Sequence, residues 1–207
     1  MRPAPALFTI GHSNHSLAHF VLLLRQHGIT AVADVRSSPY SRWHPQFSRD
    51  NLSEALHAAA EIEYVFLGRQ LGARPDEAEL LTADGRVDFE RLGGSLPFQN
   101  GVKRILKGLE SHRIALMCAE RDPLECHRGI LIAPRVLPLV ESLDHIGPDG
   151  GLETHQQAEE RLLAGLHLPN RDLFRTHAEL LREAYSRQEE RIAWRKDVPD
   201  SQEPERI

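Results

Sequence analysis

Both cysteines of this 207-residue chain lie in one stretch, LMCAERDPLECHRG (residues 116–129). Cys118 stands near its start and Cys126 eight positions on, with His127 and Arg128 directly behind and Glu120 between the two. A thiol at the start of a helix and beside positive charge gives up its proton more readily than a free cysteine. Cys126, His127 and Glu120 are therefore candidate catalytic groups, the first as a nucleophile and the others as proton carriers. Three other uses of such residues fit the spacing poorly. A phosphatase-type loop places arginine six residues after the strand-end cysteine, and Leu124 stands there. Structural zinc knuckles separate their cysteines by two to four residues, whereas this stretch reads C-x7-C-H and would need His12 or His145 as a fourth ligand. Zinc nucleobase deaminases follow their proline with Cys-x-x-Cys, and Pro123 is followed by Leu-Glu-Cys. The spacing predicts neither a metal nor an organic cofactor. Cys118, closing an apolar run, reads as a small core residue.

Two further stretches carry donors. ADVRSSPYSR (residues 33–42) brings Asp34, Arg36, Ser41 and Arg42 together at the end of an apolar run. Hydroxyls and guanidinium forks bind phosphate or carboxylate oxygens, so Arg36, Ser41 and, from the first stretch, Arg128 are candidate anion holders. An Asp34–Arg36 pair that only pins the loop is the competing reading. GHSN (residues 11–14) offers His12, an exposed imidazole able to bond an anion or move a proton, and Ser13, which competes with Ser16 for a helix-capping role. His145, in DHIGPDG, completes the candidate substrate-binding set. Asp34 joins Glu120 and His127 as a candidate for acid–base work, because two carboxylates facing one ligand can divide those roles.

The elements that must position these groups are legible in the hydrophobic pattern. Apolar runs at residues 6–10, 30–35, 62–67, 113–118 and 142–146 read as strands, and residues 16–28, 49–61 and 97–112 carry helical spacing between them. Residues 68–96 read as a long polar loop or small insertion. The segment from Cys126 to about residue 140 is helical but interrupted by Pro134 and Pro138. Strands alternating with crossover helices predict a three-layer, Rossmann-like α/β fold, a parallel sheet with helices on both faces. Ligands in such sheets bind beyond the carboxyl ends of the strands. The loops after the first, second, fourth and fifth strands are expected to open together there. Residues 152–166 read as one amphipathic helix. The expected organisation is an α/β domain over 1–168, a C-terminal helix within 169–196 that packs on the domain or pairs two copies as a homodimer, and a disordered tail over 197–207.

Twenty-five basic and 30 acidic residues leave a formal charge of -5, so nothing in the whole-chain balance calls for nucleic acid or an anionic membrane, and any positive field must be local. No apolar run approaches the ~18 residues of a membrane span, and the start lacks the pattern of a secretion signal. A soluble cytoplasmic protein with free thiols is expected.

In combination, TIGHSN, ADVRSSPYSR, the MCAE…CHR element and DHIGPDG closely resemble the bacterial domain-of-unknown-function 488 family, over residues 7 to about 166. The resemblance implies a Rossmann-like fold and a crevice lined from the motif positions Gly11, His12, Ser13, Asp34, Arg36, Pro39, Ser41, Cys118, Glu120, Cys126, His127, Arg128 and His145. It implies no reaction. The expectation is a hydrolase or group transferase, working without a cofactor on a small anionic or phosphorylated ligand such as a nucleotide or nucleic-acid component. The alternatives are a thiol- or metal-dependent redox or sensor module built on Cys118, Cys126 and His127, and a ligand-binding or scaffolding domain without chemistry.

Overall fold

The computed structural model describes residues 6–196; the segment expected as a tail, 197–207, lies outside them. The chain runs β1 (Ala6–Gly11), α1 (Leu17–Gln26), β2 (Ala31–Asp34), α2 (Arg49–Ala60), β3 (Glu63–Phe66), α3 (Gly68–Leu71), α4 (Phe89–Gly94), α5 (Leu96–Gly108), β4 (Ile114–Cys118), α6 (Ala133–Val136), β5 (Ser142–Ile146), β6 (Leu152–Thr154), α7 (His155–Gly165) and α8 (His177–Ile192). The sheet order is β3-β2-β4-β1-β5-β6. The first five are mutually parallel and β6 is antiparallel to β5. This is the three-layer, Rossmann-like α/β architecture.

Period-two alternation along the strands builds the layers. Phe8, Ile10, Val32, Ala115 and Met117 point to one face and join Phe20 and Leu24 of α1 and Leu52 and Leu56 of α2 in one core. Leu7, Ala31, Ala33, Leu116 and Cys118 point to the other and meet α5, α6, α7 and α8. The helices leading from β1 to β2 and from β2 to β3 cover the first face, and those returning to β4 and β5 cover the second. Right-handed crossovers laid in opposite directions along a sheet require this split. Local signals set the ends: Ser16 accepts the His19 N–H to cap α1, and Thr154 and Gln157 form a reciprocal capping box at α7.

Two segments depart from the reading of the sequence, and a third follows one of its two alternatives. Residues 68–96 are part of the core: Leu71, Leu81, Val87, Phe89 and Leu92 are buried, on elements too short for a periodic signal. GPDGG is a hairpin turn between β5 and β6, closed by Gly147 N–H to Gly151 C=O at 2.8 Å, so the helix expected from residue 152 begins only at His155. The C-terminal α8 buries Leu180, Ala184 and Gln188 against its own chain. No helix among the described residues is long and apolar enough to cross a membrane.

Candidate functional site

The loops after β1, β2 and β4 meet beyond the carboxyl ends of three adjacent strands. β4 was inserted between β1 and β2, where the order of strand addition reverses. They enclose a crevice of about 580 Å³. The β4 loop is held rigidly. His12 N–H donates to Cys118 C=O and Ser13 N–H to Ala119 C=O, both at 2.9 Å. Gly11 is required there, because a Cβ at that position would lie 1.9 Å from the Glu120 carbonyl oxygen. From the other side Arg128 donates to the Glu120 and Arg121 carbonyls at 2.7 and 2.9 Å. A Cβ on Gly129 would lie 2.1 Å from the Pro123 carbonyl oxygen, so only glycine lets the π-helix Arg128–Ile132 press this closely on the loop. Such π-turns recur at functional positions.

The floor of the crevice holds Cys118, Cys126, His127 and Glu120. Both sulfurs stand 3.7 Å from His127 Nδ1. His127 Nε2 lies 3.1 Å from the Val35 carbonyl. A carbonyl only accepts, so Nε2 carries hydrogen and Nδ1 is the atom turned to the thiols. Burial pushes the Cys118 thiol well above its ordinary value, and the neighbouring Cys126 adds to this. For Cys126 burial acts in the same direction but is outweighed by the hydrogen bond from Cys118 and by the charges of Arg128 and His127, which bring it well below. Of the two, Cys126 is the one whose surroundings favour the thiolate. His127 is raised: burial disfavours its charge, but the Cys126 sulfur more than offsets this. Glu120 is raised by burial and by the Cys126 charge, and its Oε2 is enclosed without a hydrogen-bond partner.

Arg36 forms the crevice wall as the centre of a buried rack. Its Nε and Nη2 donate to the two Asp34 carboxylate oxygens at 2.9 and 2.6 Å, Nη2 also donates to Phe47 C=O at 2.8 Å, and Nη1 donates to His12 Nε2 at 3.1 Å. Four of the five guanidinium N–H groups are thus used within the protein. The Tyr64 hydroxyl donates to Asp34 at 2.6 Å. Burial and then Asp34 hold the Tyr64 phenol above its usual range.

The structure thus brings Glu120, Cys126, His127, Arg36, Ser41, His12 and Ser13 to one crevice. It does not bring Asp34, Arg128 or His145 there. Asp34 is fully buried behind Arg36, in the pinning role. Arg128 is 1 % exposed and clamps the loop instead of facing a ligand. His145 sits inside the fold between Thr9 and His155. His12, expected as exposed, is buried. Its Nδ1 donates to Ser13 C=O and its Nε2 accepts from Arg36. Burial and the Arg36 charge bring it down to about 3, so it is a neutral spacer. Ser41 Oγ accepts the His44 N–H at 3.0 Å, and Ser16 supplies the α1 cap.

Sequence reasoning named Arg42 but missed most of the rim. Trp43, Arg74 and Trp194 line the crevice, and Tyr40 and Trp43 are each 65 % exposed, with the Arg42 guanidinium 4.7 Å from the Trp43 ring centroid. Trp194 arrives because the backbone beyond α8 pairs with the 81–87 turn, Val87 N–H donating to Trp194 C=O at 3.0 Å. That pairing has no local signal.

A family model described as "Domain of unknown function DUF488" matches residues 16–133, more than half of the chain. The match includes the β2 and β4 loops and leaves GHSN and the β5 hairpin outside it. No curated protein and no solved structure matches the chain.

Proposed function

Since the chain belongs to the domain-of-unknown-function 488 family, whose name carries no reaction, its chemistry is argued from the crevice, and we propose that it is an enzyme that hydrolyses or transfers a group of a small anionic substrate, a nucleotide or nucleic-acid component. The observation that carries this reading is Glu120: a carboxyl group on the floor of a polar crevice, within hydrogen-bonding reach of the Cys118 and Cys126 thiols, whose enclosed Oε2 has no hydrogen-bond partner. Leaving such an atom unpaired costs about 1–3 kcal/mol or more, and the cost is recovered where a ligand supplies the missing donor. Glu120 is the proton carrier. Cys126 and His127 form the charged floor against which the reacting group rests.

The rim supports the substrate class. Tyr40 and Trp43 offer exposed ring faces on which a base can stack. Arg42, beside Trp43, and the remaining N–H of Arg36 supply the donors for an anion. The reading takes the protein to work in a reducing, cytoplasmic setting, which keeps Cys118 and Cys126 as thiols.

The test is turnover of a panel of nucleotides, nucleosides and short oligonucleotides, followed by chromatography. Wild type is expected to convert at least one class. Glu120→Gln is expected to lose at least ~100-fold in rate with its melting temperature unchanged. An inert panel, or a Glu120→Gln variant with full activity, overturns the reading.

A further inference from the structure

We propose that Cys118, Cys126 and His127 hold one zinc-class divalent ion at the floor of the crevice, with the fourth position open to the side on which Glu120 stands. This goes beyond the catalytic reading and does not depend on it.

The three donor atoms lie within 4.8 Å of one another, and each sulfur is 3.7 Å from the same imidazole nitrogen. A tetrahedral zinc with Zn–S of ~2.3 Å and Zn–N of ~2.0–2.1 Å separates sulfur and nitrogen by about 3.6 Å. Hydrogen bonds can link the three only with protons held between them, one from Nδ1 to a sulfur and one from the Cys118 thiol to Cys126, and a metal ion would take the place of both protons. A single cation among the three satisfies all of them. The Val35 carbonyl holds the ring by its Nε2–H and turns Nδ1 inward, the outer-shell contact that metal-binding histidines use. The Arg128 backbone N–H, 3.4 Å from Cys126 Sγ, supports charge on that sulfur.

Two sulfurs and one imidazole select zinc-like ions over magnesium or calcium, which prefer oxygen. Three protein donors with one open position is the arrangement of catalytic, not structural, zinc. Here the open position faces the crevice, and the enclosed Glu120 Oε2 is on hand as an acceptor for a bound water or ligand. The seven-residue gap between the cysteines is closed by the fold. Cys118 ends β4, and the 3-10 turn Pro123–Glu125 with the Arg128 clamp returns the chain to it.

The full-length protein, reduced and stripped with a chelator, is titrated with cobalt(II). The expected result is one cobalt per chain, with a thiolate-to-cobalt charge-transfer band, visible bands of tetrahedral intensity, and displacement by zinc. Cys126→Ser and His127→Gln are expected to weaken binding at least ~100-fold, while Glu120→Gln keeps the ion. Because Cys118 is a core residue, its role is read in wild type: both thiols are already buried, so bound zinc should slow their reaction with a thiol reagent below the rate that burial alone allows, and chelation should restore that rate. Sub-stoichiometric cobalt, an octahedral spectrum without thiolate charge transfer, or thiol reactivity indifferent to zinc overturns the proposal. So does a reversible Cys118–Cys126 disulfide in a protein that binds no metal, which assigns a redox pair instead. Cobalt bound without turnover of any nucleotide leaves the ion centre standing and removes the catalytic reading; turnover by a chelated protein that takes up no cobalt does the reverse.

Discussion

Asp34 and Arg36 separate holding a site from working in it. The carboxylate is inaccessible and accepts four hydrogen bonds, from Nε–H and Nη2–H on one edge of the Arg36 guanidinium, from the Arg36 backbone N–H and from the Tyr64 hydroxyl, so it has no capacity left for a substrate. Asp34→Asn leaves the Arg36 charge buried and unpaired, and is expected to cost about 3–5 kcal/mol, read as a fall in the urea midpoint at neutral pH. Tyr64→Phe removes one hydrogen bond and should cost only about 0.5–1.5 kcal/mol. Equal stabilities for wild type and Asp34→Asn would show that the rack is dispensable. Trp43 sits at the opposite extreme, exposed on the rim. Trp43→Ala is expected to leave the melting curve in place and raise the KM of any nucleotide substrate, and an unchanged KM would remove the stacking role.

At the scale of elements, α7 and α8 are tied to the sheet by a buried polar chain whose proton positions follow from its end. The Tyr185 hydroxyl donates to Glu159 at 2.8 Å, so it accepts from His155 Nε2 at 2.9 Å. His155 Nδ1 then accepts from His145 Nε2 at 3.0 Å, and His145 Nδ1 accepts from the Thr9 hydroxyl at 2.7 Å. Both imidazoles are neutral, each with its hydrogen on Nε2, and an added proton would set donor against donor. Burial lowers His145 well below its ordinary value, with His155 adding to it, and burial lowers His155 from 6.5 to about 4. The folded value lies below the unfolded one, so the unfolded chain binds more protons between them. The stabilisation is complete above about pH 6.5 and is lost as pH falls towards 4, on the order of 3 kcal/mol for His155. Urea unfolding at pH 7.5 and 4.5 should show wild type losing this much more than His155→Gln. Parallel losses would mean that the chain does not titrate. Independently, Leu180 of α8 is fully buried, and Leu180→Ala is expected to cost about 2–5 kcal/mol in the same measurement.

Across the described residues the two cores are joined at the sheet, and in the β4 loop the β1 turn, the π-helix and the crevice floor share a segment. An ion bound there stabilises the folded chain by mass action, about 2.7 kcal/mol at a free concentration 100 times its Kd. The melting temperature should therefore rise with added zinc and fall with chelator, and indifference to both would count against the centre. The five parallel strands, their crossover helices and three of the four expected loops were legible in the sequence, because strand alternation, helical spacing and caps are properties of neighbours along the chain. So were the chemical types at the site: Glu120, Cys126, His127 and Arg36 all line the crevice. Which donors remain for a ligand was not legible, since a hydrogen bond is made with a spatial neighbour. Arg36 meets His12 across 24 positions, and His145 meets Thr9 across 136. For the same reason the C-x7-C-H spacing says nothing of how near the three side chains lie: spacing counts residues, and only the returning loop sets the donor atoms of Cys118, Cys126 and His127 within 4.8 Å of one another.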